Sequence, residues 1–323
     1  MKIAIMGTGA VGGYFGALLA RAGHEVTFIA RGQQLTALRT KGLRIDDPRL
    51  DQGGFTLTPC RATDNPAEVG VVDVILFCVK LYDTESAATQ CRPMLGEQTA
   101  LITLQNGVDA QDRIAATLGA AWAANVAGGF ALVSGVITEP GVMKYTSAMS
   151  SLIFGVDQGV SGDAARAKLG ALLQALAEAG NEAGFNASVA DDIRAAQWSK
   201  FVGLCSNAAL SCVVRQPAGI TYHTPETVEL AKAAFAEVAA VGRAKGLTLP
   251  PGIEARALAV HQSFPFGMYA SMFHDLRQGR KIELESLSGV VVREGLRLGV
   301  PTPVHSMCYA VLKPYVDGAP REA

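Results

Sequence analysis

The chain is short of aromatic residues, short of charge, and has no paired cysteine motif. Phe, Trp and Tyr make up 7% of its 323 residues, and charged residues 18%. The charge is also nearly balanced, at a net of -1, so the basic stripe that nucleic acid or an anionic membrane surface requires is missing. No stretch approaches the roughly 18 unbroken apolar residues of a membrane helix. Six cysteines stand at 60, 78, 91, 205, 212 and 308, mostly inside apolar runs and never as CxxC. They read as small buried hydrophobes of a reducing compartment, with neither disulfide nor metal role. Internal repeats and low-complexity tracts are absent too. The opening "MKIAIMGTGAVGGYFGALLAR" has the lysine and apolar run of a secretory leader, but Gly7, Gly9, Gly12 and Gly13 would break its helix. A cytoplasmic protein is expected.

What is plentiful is apolar: 49% of residues are hydrophobic, and 35 glycines allow helices to pack closely on a sheet. The length suits two domains with sizeable cores. In the first half, strands alternate with helices. "KIAIMG", "EVTFIA", "DVILFCV" and "ALITLQ" read as strands buried on both faces. Helices are expected over residues 10–22 and 33–40 and from about Val108, and further strands over 124–133, 142–147 and 151–155. "GLRIDD" and "GFTLTP" read as a hairpin or edge pair. A helix from Asp163 to Ala179 presents Leu169, Leu172, Leu173 and Leu176 on one face, with Gly180 as its cap. "NEAGFNASVADD" reads as a connection. Residues 190–317 then read as almost wholly helical, broken at Pro217, Gly246–Pro251, Pro265 and Pro301–Pro303. The alternation implies a mostly parallel sheet with right-handed crossovers, followed by a helical domain; the boundary is expected near 185–191.

The segment Gly7-Thr8-Gly9-Ala10-Val11-Gly12 follows the first strand and opens the first helix. In that context GxGxxG is a dinucleotide-binding turn: the glycines let backbone N–H groups approach a pyrophosphate at a helix N-terminus. The alternative is a turn kept glycine-rich for packing. NAD-binding units usually place an acidic residue after the second strand, yet here "TFIARG" supplies Arg31. A guanidinium pairs with a 2′-phosphate and cannot accept a hydroxyl proton, which argues for NADP, unless Arg31 is simply a surface strand end. Lys80, after "FCV", stands on the same edge of the sheet. It is a second phosphate or ribose contact or a solvated lysine.

In "WSKFVGLCSNAALS", Asn207 and Ser211 lie within about 20° of Lys200 on a helical wheel, and Leu204 within about 40°. Trp198 and Ser206 face elsewhere. A snorkelling lysine needs no polar groups two and three turns along, whereas a polar stripe facing a cleft does. In "SMFHDLRQGRKIELESLSG", Glu283 and Glu285 sit among hydrophobes ahead of a helix running to Leu298; spacing alone favours a solvated face for either.

The glycine turn, Arg31, "CVKLYDT", "LQNGVD", "IRAAQWSKF", "SMFHDLRQGRKIELESLSG" and "GVPTP" occur in the order seen in the ketopantoate reductase (2-dehydropantoate 2-reductase) family, and the chain resembles that family over essentially its whole length. The resemblance implies an N-terminal α/β Rossmann-type dinucleotide-binding domain, residues 1–190. An all-α C-terminal domain like that of 6-phosphogluconate dehydrogenase, residues 191–323, follows, with the active site in the cleft between them. It implies NADPH-dependent reduction of 2-dehydropantoate to pantoate, a step of pantothenate and coenzyme A synthesis. It makes Lys200 the catalytic lysine and Glu283 the active-site glutamate, which also holds the cofactor. Asn106 becomes a substrate and nicotinamide contact and Ser271 a substrate contact, with Arg31 and Lys80 on the cofactor phosphate. Where the family often has asparagines four and eight residues past the lysine, this chain has Leu204 and Ala208, with Asn207 as the available amide. Ile282, Ser288 and Tyr145 replace a usual Thr, Asn and His, and all these changes are expected to line or approach the substrate pocket. In the implied mechanism Lys200 donates a proton as hydride arrives, and Glu283 helps keep it charged. Two rivals remain: a reductase of another 2-oxo acid, favoured by Leu204 and Ala208, and a non-catalytic NADP(H) sensor. The expected partner is a small 2-oxo acid; a homodimer is left open.

Overall fold

The computed structural model describes residues 1–146, 149–157, 159 and 162–320. Internal contacts divide the chain into two units. The first holds Met1–Gln105 and Ala110–Ile193; the second holds Asn106–Asp109 and the chain from Arg194 onward.

Among the described residues of the first unit, twelve strands form two sheets. They are β1 (Lys2–Met6), β2 (Glu25–Ile29), β3 (Leu43–Asp46), β4 (Gly54–Leu57), β5 (Ala62–Thr63), β6 (Val74–Phe77), β7 (Ala100–Thr103), β8 (Val126–Leu132), β9 (Gly135–Glu139), β10 (Val142–Tyr145), β11 (Ser151–Gly155) and β12 (Asn186–Val189). The larger sheet has the order β12-β11-β8-β7-β6-β1-β2-β5. It is parallel from β5 to β8, and β11 turns antiparallel to β8. The smaller sheet, β4-β3-β10-β9, contains the expected 43–57 hairpin. Helices α1 (Ala10–Arg21), α2 (Gly32–Lys41), α3 (Thr84–Cys91), α4 (Ala110–Leu118), α5 (Ala120–Ala123) and α6 (Asp163–Glu182) complete the unit.

Strand pleating explains why the central strands are apolar throughout. Ile3 and Ile5 of β1, with Val74 and Leu76 of β6, join one cluster with Phe15, Leu18, Leu173 and Leu176 from α1 and α6. The intervening Ala4, Met6, Ile75 and Phe77 join another with Ala88, Cys91, Ile114 and Leu118 from α3 and α4.

Three expectations change. Gly180 does not cap α6, which continues to Glu182. A Cβ there would lie 2.7 Å from both Ala187 and the Phe185 ring, so this glycine permits close packing inside the helix. The connection after α6 contains a strand, β12, and β9 is an additional edge strand. Both are short and mostly polar or exposed, so they carry no periodic signal. Of the expected strand 142–147, Ser147 lies outside the described residues.

The second unit is helical: α7 (Ile193–Val214), whose first residue belongs to the first unit, α8 (Ala218–Thr221), α9 (Pro225–Ala244), α10 (Ile253–Gln262), α11 (Ser271–Arg277), α12 (Ser288–Leu298) and α13 (Pro303–Leu312). The breaks at 215–217, 245–252, 263–270 and 299–302 fall at the prolines and glycines read from the sequence; those at 222–224 and 278–287 were not expected. Helix α9 packs against α10, α12 and α13. Its Glu237 carboxylate accepts the backbone N–H groups of Val304 (2.7 Å) and His305 (2.9 Å), capping α13 from a neighbouring helix. The fully buried His305 imidazole lies 3.2 Å from Ser288 Oγ and 3.3 Å from Ser206 Oγ; burial pulls its pKa down to about 4 and keeps it neutral. All six cysteines are free thiols, and burial pushes every one of them upward, to about 11 for Cys308 and about 12 for Cys60, Cys78, Cys91 and Cys212, with Cys205 well above its ordinary value. Among the described residues no helix is long and apolar enough to cross a membrane.

Candidate active site

The glycine turn leaves β1 through Gly7, whose φ of +100° an L side chain rarely adopts. A Cβ on Gly12 would sit 2.3 Å from the Gly7 carbonyl oxygen and 2.7 Å from Ile5, so helix, turn and strand meet there without room for a side chain. Gly9, the N-cap of α1, is exposed, and nothing lies within 4 Å of where its Cβ would be. The first turn of α1, with half-buried Ala10 and Val11, carries no acidic residue and no side-chain cap. Open backbone at a helix N-terminus without competing negative charge fits a pyrophosphate. Buried Thr8 donates from Oγ1 to the Ile29 carbonyl (3.0 Å), tying the turn to the end of β2, and Gln34 Nε2 donates to the Thr8 carbonyl (3.2 Å).

In this sheet β1 lies between β2 and β6, the point where the strand order reverses; ligands of such folds bind outside the carboxyl ends of the strands there. Arg31 stands two residues past β2 and is exposed. One of its N–H groups donates to Gln90 Oε1 (2.6 Å), out of the five a guanidinium has. Lys80 follows β6 and is half-buried. The loop that carries it is braced by Gln105 at the end of β7. Gln105 Nε2 donates to the Val79 carbonyl and to Thr84 Oγ1, both at 3.0 Å, and Oε1 accepts from Thr103 Oγ1 at 3.0 Å. Sequence reading passed over Gln105, although a glutamine closing the apolar run "ALITL" is a signal that it has buried partners.

In the second unit, α7 buries Trp198, Phe201, Val202 and Cys205. Trp198 faces Gly242, away from the polar stripe. Lys200 keeps part of its surface exposed, yet enough protein surrounds its ammonium that burial draws its pKa from 10.5 down to about 8. Burial therefore prevails over any opposing charge. Nζ donates to Asn106 Oδ1 (2.9 Å), joining two expected site residues directly.

Farther along the stripe, Asn207 Oδ1 accepts from the Tyr222 hydroxyl (2.8 Å) and from Ser211 Oγ (3.4 Å). Ser211 Oγ accepts the backbone N–H of Ala270 (3.4 Å), so the exposed Ser271, which opens α11, follows a residue tied to the same stripe. Tyr222 is fully buried; burial pushes its phenol upward and keeps it protonated.

The two glutamates part company. Glu283 is 8% exposed, in a non-helical segment ahead of a single turn at Leu284–Ser286. Glu285 is bound to Arg293 (3.1 Å), Tyr309 (3.0 Å) and Lys313 at the surface. The solvated-face reading thus suits Glu285 and fails for Glu283, because the segment is not yet helix there. Two of the substitutions expected to approach a substrate pocket are spent on interior contacts. Ser288 bonds His305; Tyr145 stacks on Tyr14 (5.2 Å between ring centroids), donates to the Met149 carbonyl and carries the Arg49 guanidinium over its ring at 3.8 Å.

Comparison with known proteins is consistent across both units. Residues 3–159 match the family model described as Ketopantoate reductase PanE/ApbA, and residues 192–316 match its C-terminal model. A protein of Mesorhizobium japonicum named 2-dehydropantoate 2-reductase is 29% identical, with 97% of each chain covered. The crystal structure of a PanE/ApbA family ketopantoate reductase from Ralstonia eutropha superposes with a TM-score of 0.85 at 30% identity, covering 98% of both chains. A D-mandelate dehydrogenase, solved with NADH and anilino(oxo)acetate, also gives 0.85 over 98% of both chains; at 22% identity it bears on the fold alone.

Proposed function

The chain belongs to the ketopantoate reductase family, and from that premise we propose that it reduces 2-dehydropantoate to pantoate with NADPH, using Lys200 as the proton donor. It is an oxidoreductase of a nicotinamide dinucleotide, acting on a 2-oxo acid. The observation that carries the finer reading is Lys200: a lysine on the polar stripe of an otherwise apolar helix, held near pKa 8 and oriented by Asn106.

The residues present fit the cofactor. Gly7 to Gly12 would hold its pyrophosphate on backbone N–H groups, with Arg31 and Lys80 serving its 2′-phosphate and ribose. When bound, the reduced nicotinamide supplies a hydride to the carbonyl carbon of the acid. As that carbon–hydrogen bond forms, the C=O π pair moves to oxygen. Lys200, as ammonium, hydrogen-bonds the oxygen, stabilises the growing charge and hands over a proton to give the hydroxyl. Water then returns a proton to the amine. Asn106 fixes the ammonium's direction. Glu283, buried in the same unit, serves the substrate or the ribose, and Ser271 and Asn207 contact the acid. A pKa near working pH suits both donation and recharging.

A second reading, reduction of a different 2-oxo acid, draws on Leu204 and Ala208 at the usual asparagine positions. Initial rates of NADPH and NADH oxidation with ketopantoate and a panel of 2-oxo acids test both. Fast ketopantoate turnover with NADPH supports the first. Turnover of another acid only would replace it, and cofactor binding without turnover of any would overturn both.

A further inference from the structure

Tyr222 was not singled out by any motif, yet its hydroxyl makes the shortest contact to the amide of Asn207. The structure turns the amide oxygen of Asn207 toward two hydroxyls, those of Tyr222 and Ser211. The Ala270 backbone N–H can only donate, and it donates to Ser211 Oγ. The Ser211 proton is then directed to Asn207. The Tyr222 phenol is a second donor to the same atom. With Oδ1 accepting from both hydroxyls, the NH₂ group is turned the other way. Among the described residues that NH₂ has no hydrogen-bond partner, although the amide oxygen has two. Tyr222 is itself immobilised, with its ring packed against Phe235 (6.5 Å between centroids) and His261 (5.0 Å).

We propose that Tyr222 and Ser211 are positioning residues that fix Asn207 as a donor, so that this point of the lysine stripe recognises an acceptor oxygen of the substrate and rejects a donor. The proposal rests on the reading of the chain as a 2-oxo acid reductase. It also accounts for a lone asparagine standing seven residues past Lys200, beside Leu204 and Ala208: its amide orientation is set by Tyr222, just after α8, and by Ser211, one turn along α7, instead of by a second amide on α7.

Asn207→Asp tests this with least disturbance. The oxygen that accepts from Tyr222 and Ser211 is kept, and the NH₂ alone becomes an oxygen. KM for the 2-oxo acid is expected to rise more than about tenfold, since one donor contact is lost and a repulsion replaces it. Tyr222→Phe removes one of the two donors and allows the amide to turn; KM should rise about fivefold with kcat held within about twofold. Calorimetric affinity of the hydroxy-acid product for the enzyme loaded with NADP should weaken in parallel in both variants, while affinity for NADP itself stays put. Unmoved KM and product affinity in Asn207→Asp, or a fall in kcat in place of a rise in KM in Tyr222→Phe, overturns the proposal while leaving the reductase reading intact. A wild-type enzyme that turns over no 2-oxo acid overturns that reading, and this proposal with it.

Discussion

Replacing Lys200 with Met keeps the apolar stem of the side chain and deletes the ammonium, and it should make the protein both more stable and nearly inactive. A lysine held at about 8 in place of 10.5 carries a burial penalty of about 3 kcal/mol in its charged form. Removing it also takes a donor from Asn106 Oδ1, which returns about 1 kcal/mol. With partial exposure of the stem trimming the figure further, a net gain of about 1–2 kcal/mol is expected at pH 7, or about 2–6 °C in melting temperature. The pH dependence has a definite sign. Below about 8 the lysine is charged whether folded or unfolded, so the wild type bears the full penalty. Between about 8 and 10.5 the unfolded chain binds more protons than the folded one, and wild-type stability from this group rises with pH. By pH 10 about three-quarters of the penalty is relieved, so the two proteins should converge there. Thermal melts of both, without cofactor, at pH 7 and pH 10 make the comparison. Turnover of the variant should drop about 10²- to 10⁴-fold. Equal melting temperatures at pH 7, or a gap indifferent to pH, would refute the claim that Lys200 is held charged against burial.

For the wild type, kcat/KM for reduction should fall above pH of about 8, approaching tenfold per pH unit, as Lys200 loses the proton it donates; a flat profile to pH 10 would exclude it as donor. Arg31→Ala should raise the Kd for NADPH about tenfold and leave that for NADH nearly unchanged, measured by fluorescence titration, because the charge on the 2′-phosphate loses its partner. Gly12→Ala places a methyl 2.3 Å from the Gly7 carbonyl oxygen, so it should cost about 1–3 kcal/mol of stability and weaken cofactor binding with it, seen in melts and in the same titration.

Much of this was legible in the sequence because it is local. The unbroken apolar runs of "KIAIMG" and "DVILFCV", the prolines that end α7, α10 and α12, and the glycines between strand and helix each act through their immediate neighbours. The placement of Lys200, Asn207 and Ser211 on one stripe is helical arithmetic, and the Asn207–Ser211 contact shows those two side by side. What escaped depends on partners distant in sequence or on edges. β12 has four residues with one buried side chain, and β9 has none, so neither shows a period. Gly180 looked like a cap because a glycine near a helix end usually is one; only the approach of Phe185 and Ala187 reveals the other use. Tyr222 reaches Asn207 across the turn between α7 and α8, and the burial that separates Glu283 from Glu285 arises from a stretch where helical spacing does not apply.

The six thiols have a practical consequence. With pKa values of about 11 for Cys308 and about 12 for Cys60, Cys78, Cys91 and Cys212, no more than about one in 10⁴ of any of these five is thiolate at pH 7; burial pushes Cys205 well above its ordinary value too, and the thiolate is the form that alkylating and oxidising reagents attack. The native chain should therefore be nearly silent toward maleimides and iodoacetamides while folded. A single cysteine introduced at an exposed position would then be the fastest-reacting group, so a spectroscopic probe can be attached at a chosen residue without first deleting the native six, of which four are buried and Cys60 and Cys78 half-buried.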